Sequence, residues 1–208
     1  MKRACHSYAD EVCFYKADFT SGLCFLFHPF VREIFSYLHL APTQLVPNCW
    51  WIIISSMVVW MSTNDGDVIR RDEFLHFYHL RKSKDPGYYE FKPWDRASRL
   101  ILDYPSSLRN WKPNFYFVSG SGWKFIPFAD LDEAPKFFRS WGVPVSGVSF
   151  SFFCCFSSLL WVTMVCDILV FLFAVSQRPH LKKSYQCRAE KVKESLKSVK
   201  DFDELVSP

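Results

Sequence analysis

The chain predicts an α+β fold: N-terminal helices packed on a small aromatic-rich antiparallel sheet, then an apolar segment of helix length and a C-terminal amphipathic helix. Three observations carry that prediction. Apolar residues recur at helical spacing between Pro29 and Leu80, they fall into short aromatic runs punctuated by Pro, Gly and Asn after Lys82, and helical spacing returns beyond Arg178. The 208 residues suit one ordinary domain plus a tail or membrane-spanning segment. The 22 Phe, 8 Trp and 9 Tyr can build a core from few positions, because each ring buries a large area.

Residues 1–23 read as a poorly ordered lead-in to a domain over 24–145. In PFVREIFSYLHL, Phe30, Val31, Ile34, Phe35 and Leu38 share a helical face, with Arg32, Glu33 and Ser36 opposite and Pro29 suited to the first turn. Pro42 and Pro47 interrupt the next segment, and Asn48 is the expected N-cap of a buried helix over CWWIIISSMVVWM, too short to span a bilayer. The turn text STNDGD ends it. Asp72 is the expected cap of a third helix presenting Phe74, Leu75, Tyr78 and Leu80 on one face. Residues 88–91, 114–120 and 123–128 read as strands, the last two joined by a hairpin over Ser119–Gly122, and Leu131–Trp141 as a further short helix.

Residues 148–176 carry a single charge, Asp167, and meet the length and polarity criteria of a transmembrane helix. The basic flank of Arg178, Lys182, Lys183 and Arg188 would place the C-terminal side in the cytoplasm. Two other readings are open. Phe, Ser, Cys, Leu and Val dominate the segment and share T-rich codons, as a translated intron would give, with Gly147-Val148 and Gln177 permitting its boundaries; a buried core helix is the third reading. The intron reading implies an intracellular protein, nuclear or cytoplasmic, and the transmembrane reading a single-pass one. Residues 178–208 form a basic amphipathic helix and tail, with Leu181, Tyr185, Val192, Leu196 and Val199 near helical spacing and coiled-coil self-association as one use for them.

The net charge of +4 is too small and too mixed to argue nucleic-acid binding by itself. Locally the balance differs: Arg178 to Lys200 holds eight basic residues against two acidic ones. Arg178, Lys182, Lys183, Arg188, Lys191 and Lys193 are therefore the candidate contacts for weak, salt-sensitive nucleic-acid binding. The eight cysteines contain no C-x-x-C pair, and Asp10, Glu11 and Asp18 ahead of Leu23–Phe27 oppose a signal peptide, so buried thiols in a reducing compartment are expected rather than disulfides.

Catalytic motifs are sparse. Asp72, His76 and His79 have the spacing of a helical metal site, yet that pattern belongs more often to partly buried surface histidines. Asp65, Asp67, Asp103 and Asp130 sit in turn-like text without the βαβ frame that a polynucleotidyl-transferase centre needs. No Gly-rich phosphate loop and no nucleophile elbow is present, so no catalytic, metal or cofactor residue is assigned. The aromatic–basic runs Arg109-Asn110-Trp111-Lys112 and Trp123-Lys124 could stack single-stranded bases, with core packing of the rings as the commoner use.

The order of several motifs is similar to a plant family of gypsy-type transposon domains: the His28-Pro29 helix with its Leu40-Ala41-Pro42 exit, Leu45 to Trp50, Glu73-Phe74-Leu75, Gly87 to Phe91, then Pro105-Ser106-Ser107 followed by Trp111-Lys112 and Phe115 to Val118. The resemblance covers about residues 24–145 and resumes at Arg178-Pro179, running to Asp-Phe-Asp-Glu-Leu. In that family the Trp-Gly-Val-Pro region runs directly into the Arg-Pro helix, so residues 148–176 are an insertion, as the intron reading requires. The resemblance implies a gag-like or accessory product of a plant retrotransposon: a non-catalytic interaction or assembly protein. Its partners would be a second copy through the C-terminal helix, non-specific nucleic acid, and a membrane should 148–176 insert. A single-pass membrane protein with a cytoplasmic basic helix is the alternative.

Overall fold

A computed structural model describes residues 11–25, 27–102, 108–119, 138, 141–144 and 178–206, with the side chains of the final helix up to Lys197. Over these residues the chain is α+β, as predicted, with helices around two antiparallel two-stranded sheets. The elements are β1 (Glu11–Tyr15), α1 (Lys16–Thr20), α2 (Pro29–Tyr37), α3 (Asn48–Thr63), α4 (Arg71–Phe77), β2 (Tyr78–Lys82), β3 (Tyr89–Pro93), β4 (Phe115–Ser119) and α5 (Lys183–Val206), with short 3-10 turns at Pro42–Gln44 and Arg96–Ser98.

The expected lead-in contains the first structural difference. Glu11–Tyr15 is a strand that pairs antiparallel with β4, Glu11 opposite Ser119 and Tyr15 opposite Phe115. Val12, Cys13, Phe14 and Tyr15 are all buried, so the strand is covered on both faces and shows no alternation in its sequence. The β4 expectation holds, while residues 120–128, with the expected hairpin and the strand at 123–128, lie outside the described residues. So does nearly all of Leu131–Trp141.

Helix α2 starts as its sequence suggests: Pro29 occupies the first turn and the His28 ring Nδ1 accepts from the Phe30 N–H at 3.2 Å. Arg32, expected on the polar side, is instead buried at 5% exposure. Helix α3 begins at Asn48 with Pro47 in the cap position, so Asn48 is not the cap, and it runs to Thr63 before the positive-φ pair Asp65 and Gly66 turns the chain. Trp50 on α3 stacks against Phe35 (5.2 Å) and Phe27 (6.3 Å), which ties α2 and α3 into one core.

Helix α4 departs from expectation at both ends. Its cap is Arg70, whose N–H donates to the Glu73 Oε2 at 2.8 Å, rather than Asp72. It stops at Phe77, because Tyr78–Lys82 is drawn into a hairpin with Tyr89–Pro93 and Trp94 closes the helix end, its indole N–H donating to the Leu75 carbonyl at 2.9 Å. Tyr78 and Leu80 are therefore strand residues, buried on alternate positions. Gly87, at φ +82°, makes the hairpin turn; a side chain there would meet Trp141 at 2.5 Å. The core is continuous from Val12 and Phe14 through α2, α3 and α4 to Leu181, Ala189 and Val192 at the C-terminal helix.

Candidate functional site

The C-terminal segment docks against α3 and α4, and its two arginines are the fixings. Arg178 lies across the end of α4. Its Nε donates to the His76 carbonyl at 2.8 Å, its Nη1 faces Asp95 at 3.2 Å, and its Nη2 donates to Ser98 Oγ at 2.9 Å and approaches His76 Nε2 at 3.3 Å. Ten residues on, Arg188 donates to the Val68 carbonyl at 3.1 Å and lies 3.4 Å from Glu73, a carboxylate with no exposed surface. Its guanidinium also sits 5.6 Å from the Trp60 ring centre. Burial pushes the Glu73 carboxyl above the ordinary range, while the Arg70 N–H and the Arg188 charge pull it back.

Of the six basic residues that the sequence nominates for nucleic acid, Arg178 and Arg188 thus bind the protein itself. Lys191 holds Asp65 at 2.9 Å and Lys193 lies 5.5 Å from the Phe77 ring centre, both still exposed; Lys182 and Lys183 are exposed as well. Of the apolar residues expected to mediate self-association, Leu181, Tyr185, Val192 and Leu196 face inward, and the Val199 side chain lies outside the described residues. Ala189 and Val192 are buried, and Tyr185 and Leu196 pack against the same core.

The other nominated groups are scattered. Asp72 and His76 lie on α4, but His79 is on β2, its ring tilted against Trp94 with centroids 4.5 Å apart, and among the described residues no cluster of three or more His, Cys, Asp or Glu could hold a metal ion. Asp65 and Asp67 face the C-terminal helix, and Asp103 and Asp130 lie outside the described residues. Trp111 is 9% exposed, with Tyr15 and Tyr88 meeting it edge to face at 4.6 and 5.1 Å, while Lys112 is paired to Asp85 at 2.8 Å. That ring is a core member rather than a stacking platform; Trp123-Lys124 lies outside the described residues.

Two surface features correspond to no motif in the sequence. An open groove of about 460 Å³ is lined by His28, Glu33, Asp67, Arg70 and Arg188 among others, its charges balanced in sign. The second is the outer face of α3, where Trp51 (38% exposed), Val58 (60%) and Met61 (41%) stand at helical spacing with half-buried Ile54 between them. The signal was present in CWWIIISSMVVWM: its apolar residues run all round the helix, more than one buried face can use.

No protein-family model, no curated protein and no solved structure matches the chain. Among the described residues no helix is long and apolar enough to cross a membrane, and residues 148–176 lie outside them.

Proposed function

We propose that the protein is a non-catalytic interaction and assembly protein of plant retroelement descent, acting through self-association. The observation that supports this best is the outward set of Trp51, Val58 and Met61 along α3. Isolated exposed apolar side chains are ordinary, but several large ones aligned along one helix are the form that interaction surfaces take. A second copy is the occupant argued for: a helix face packs on its own counterpart about a two-fold axis with one set of residues serving both sides. The C-terminal helix is the weaker choice, since Tyr185, Ala189, Val192 and Leu196 would have to leave the core first. Light scattering across a concentration series tests the reading. The mass is expected to rise from 24.5 kDa toward twice that value for the native chain and to stay at the monomer for Val58→Glu; a native chain monomeric throughout refutes it.

Nucleic-acid contact, in this reading, belongs to the exposed lysines and not to the arginines. Lys182, Lys183, Lys193 and Lys197 are all exposed, and such a row neutralises phosphates without reading bases. Replacing Lys182 and Lys183 by Gln is expected to weaken binding to labelled DNA and to reduce the salt slope by about 1 for each phosphate no longer neutralised. An unchanged slope would remove α5 as the binding surface. Point substitutions are required because deleting residues 178–208 also removes Leu181, Ala189 and Val192 from the core.

A further inference from the structure

We propose that His76 is a proton-operated latch for the C-terminal segment: the neutral ring holds Arg178 and Pro179 against the end of α4, and its protonation in mildly acidic solution releases them and loosens α5. The hydrogen bonds settle the ring's form. His76 Nδ1 lies 3.0 Å from the Pro179 carbonyl, which can accept but not donate, so Nδ1 carries the proton. Nε2 then offers its lone pair to Arg178 Nη2 at 3.3 Å, and a guanidinium can donate but not accept. A second proton would place an N–H against an N–H and a positive ring against a positive guanidinium. Arg178 is the bolt, because the same guanidinium also joins Asp95, Ser98 and the His76 carbonyl.

The charges around the ring oppose protonation of the docked state. Burial lowers its proton affinity from the ordinary imidazole value of 6.5; the Pro179 carbonyl raises it, and Arg178, Lys193 and His180 lower it further. On its own element, Asp72 is engaged by Arg71 at 2.9 Å. Asp95 lies below the usual carboxylate range, held there first by its Ser98 hydrogen bond, so it stays ionised where the imidazole titrates. The released state binds the second proton more tightly than the docked one. Docking is therefore fully favoured above pH 6.5 and lost as pH falls below it.

Hydrogen exchange of the full chain, corrected for the intrinsic pH dependence of exchange, reads the latch directly. Amides of residues 183–197 are expected to lose protection between pH 7.5 and 5.0, by about tenfold. His76→Gln keeps an acceptor for Arg178 and cannot titrate, so its loss of protection between the two pH values should fall well below the native one. Arg178→Ala should show the low protection at both. Glu73→Gln controls for the other titrating anchor, the carboxyl facing Arg188, and should retain the native pH response. No loss in the native chain, an equal loss in His76→Gln, or a response abolished by Glu73→Gln would each overturn the proposal.

Discussion

Arg188→Ala is expected to destabilise the fold by about 3–5 kcal/mol at neutral pH, the usual consequence of leaving one member of a buried ion pair behind. Glu73 has no exposed surface, and its Oε1 faces Arg188 at 3.4 Å while Oε2 accepts the Arg70 N–H. Removing the guanidinium leaves that carboxylate uncompensated and takes a cation from the face of Trp60. Asp67 contributes little to the effect, being 71% exposed and 3.7 Å away. The cost should shrink in acid, because Glu73 already takes up a proton above the ordinary carboxyl range and does so more readily without its partner. In denaturant unfolding the double variant Arg188→Ala/Glu73→Gln should lose less than the sum of the two singles. A loss below about 1 kcal/mol for Arg188→Ala would show that the pair is a surface contact in energetic terms.

Much of this arrangement was legible from the chain, and the failures have physical causes. Helices α2 and α3 could be placed because Pro29, the Pro42–Pro47 break and the turn at 62–67 punctuate an apolar pattern. The end of α4 could not, since Tyr78 and Leu80 satisfy two periods at once: Tyr78 lies four residues after Phe74, and Tyr78, Leu80 and Lys82 also alternate. The hairpin decided the matter, and its partner strand lies beyond a turn. Strand β1 was missed because Val12 to Tyr15 is a continuous apolar run, which periodicity cannot distinguish from a helix fragment. In the C-terminal segment the charge excess was plain while its direction was not. The available signal was the residue type: the two arginines, whose planar forks can join several acceptors at once, turn inward, and the lysines point out.

Asp18→Asn is expected to stabilise the protein at pH 7.5 by on the order of 3–5 kcal/mol, and to do so through the pH dependence of folding. Asp18 lies in the short α1 with no exposed surface, and its Oδ2 accepts the Tyr15 N–H at 2.8 Å. Among the described residues its Oδ1 and the indole N–H of buried Trp50 have no hydrogen-bond partner of good geometry. Burial therefore dominates over the Tyr15 N–H and the nearby indole, and the carboxyl is pushed from 3.8 up to about 8. Between those two values the folded chain keeps a proton that the unfolded chain has released. Each unit of pH above 3.8 then favours the unfolded chain by up to about 1.4 kcal/mol, until the folded carboxyl itself ionises near 8. Asparagine is neutral in both states and its carbonyl can still accept from Tyr15, so it removes this slope; an imperfect fit of the amide beside Trp50 subtracts from the gain. Glu73, also raised by burial, leaves a residual slope in both proteins, and the difference between their unfolding free energies from pH 4 to 9 isolates Asp18. That difference should grow steadily from near zero at pH 4 and level off above pH 8. A flat difference, or an asparagine variant less stable at every pH, would mean that Asp18 is ionised in the folded protein and that its charge is compensated where it lies.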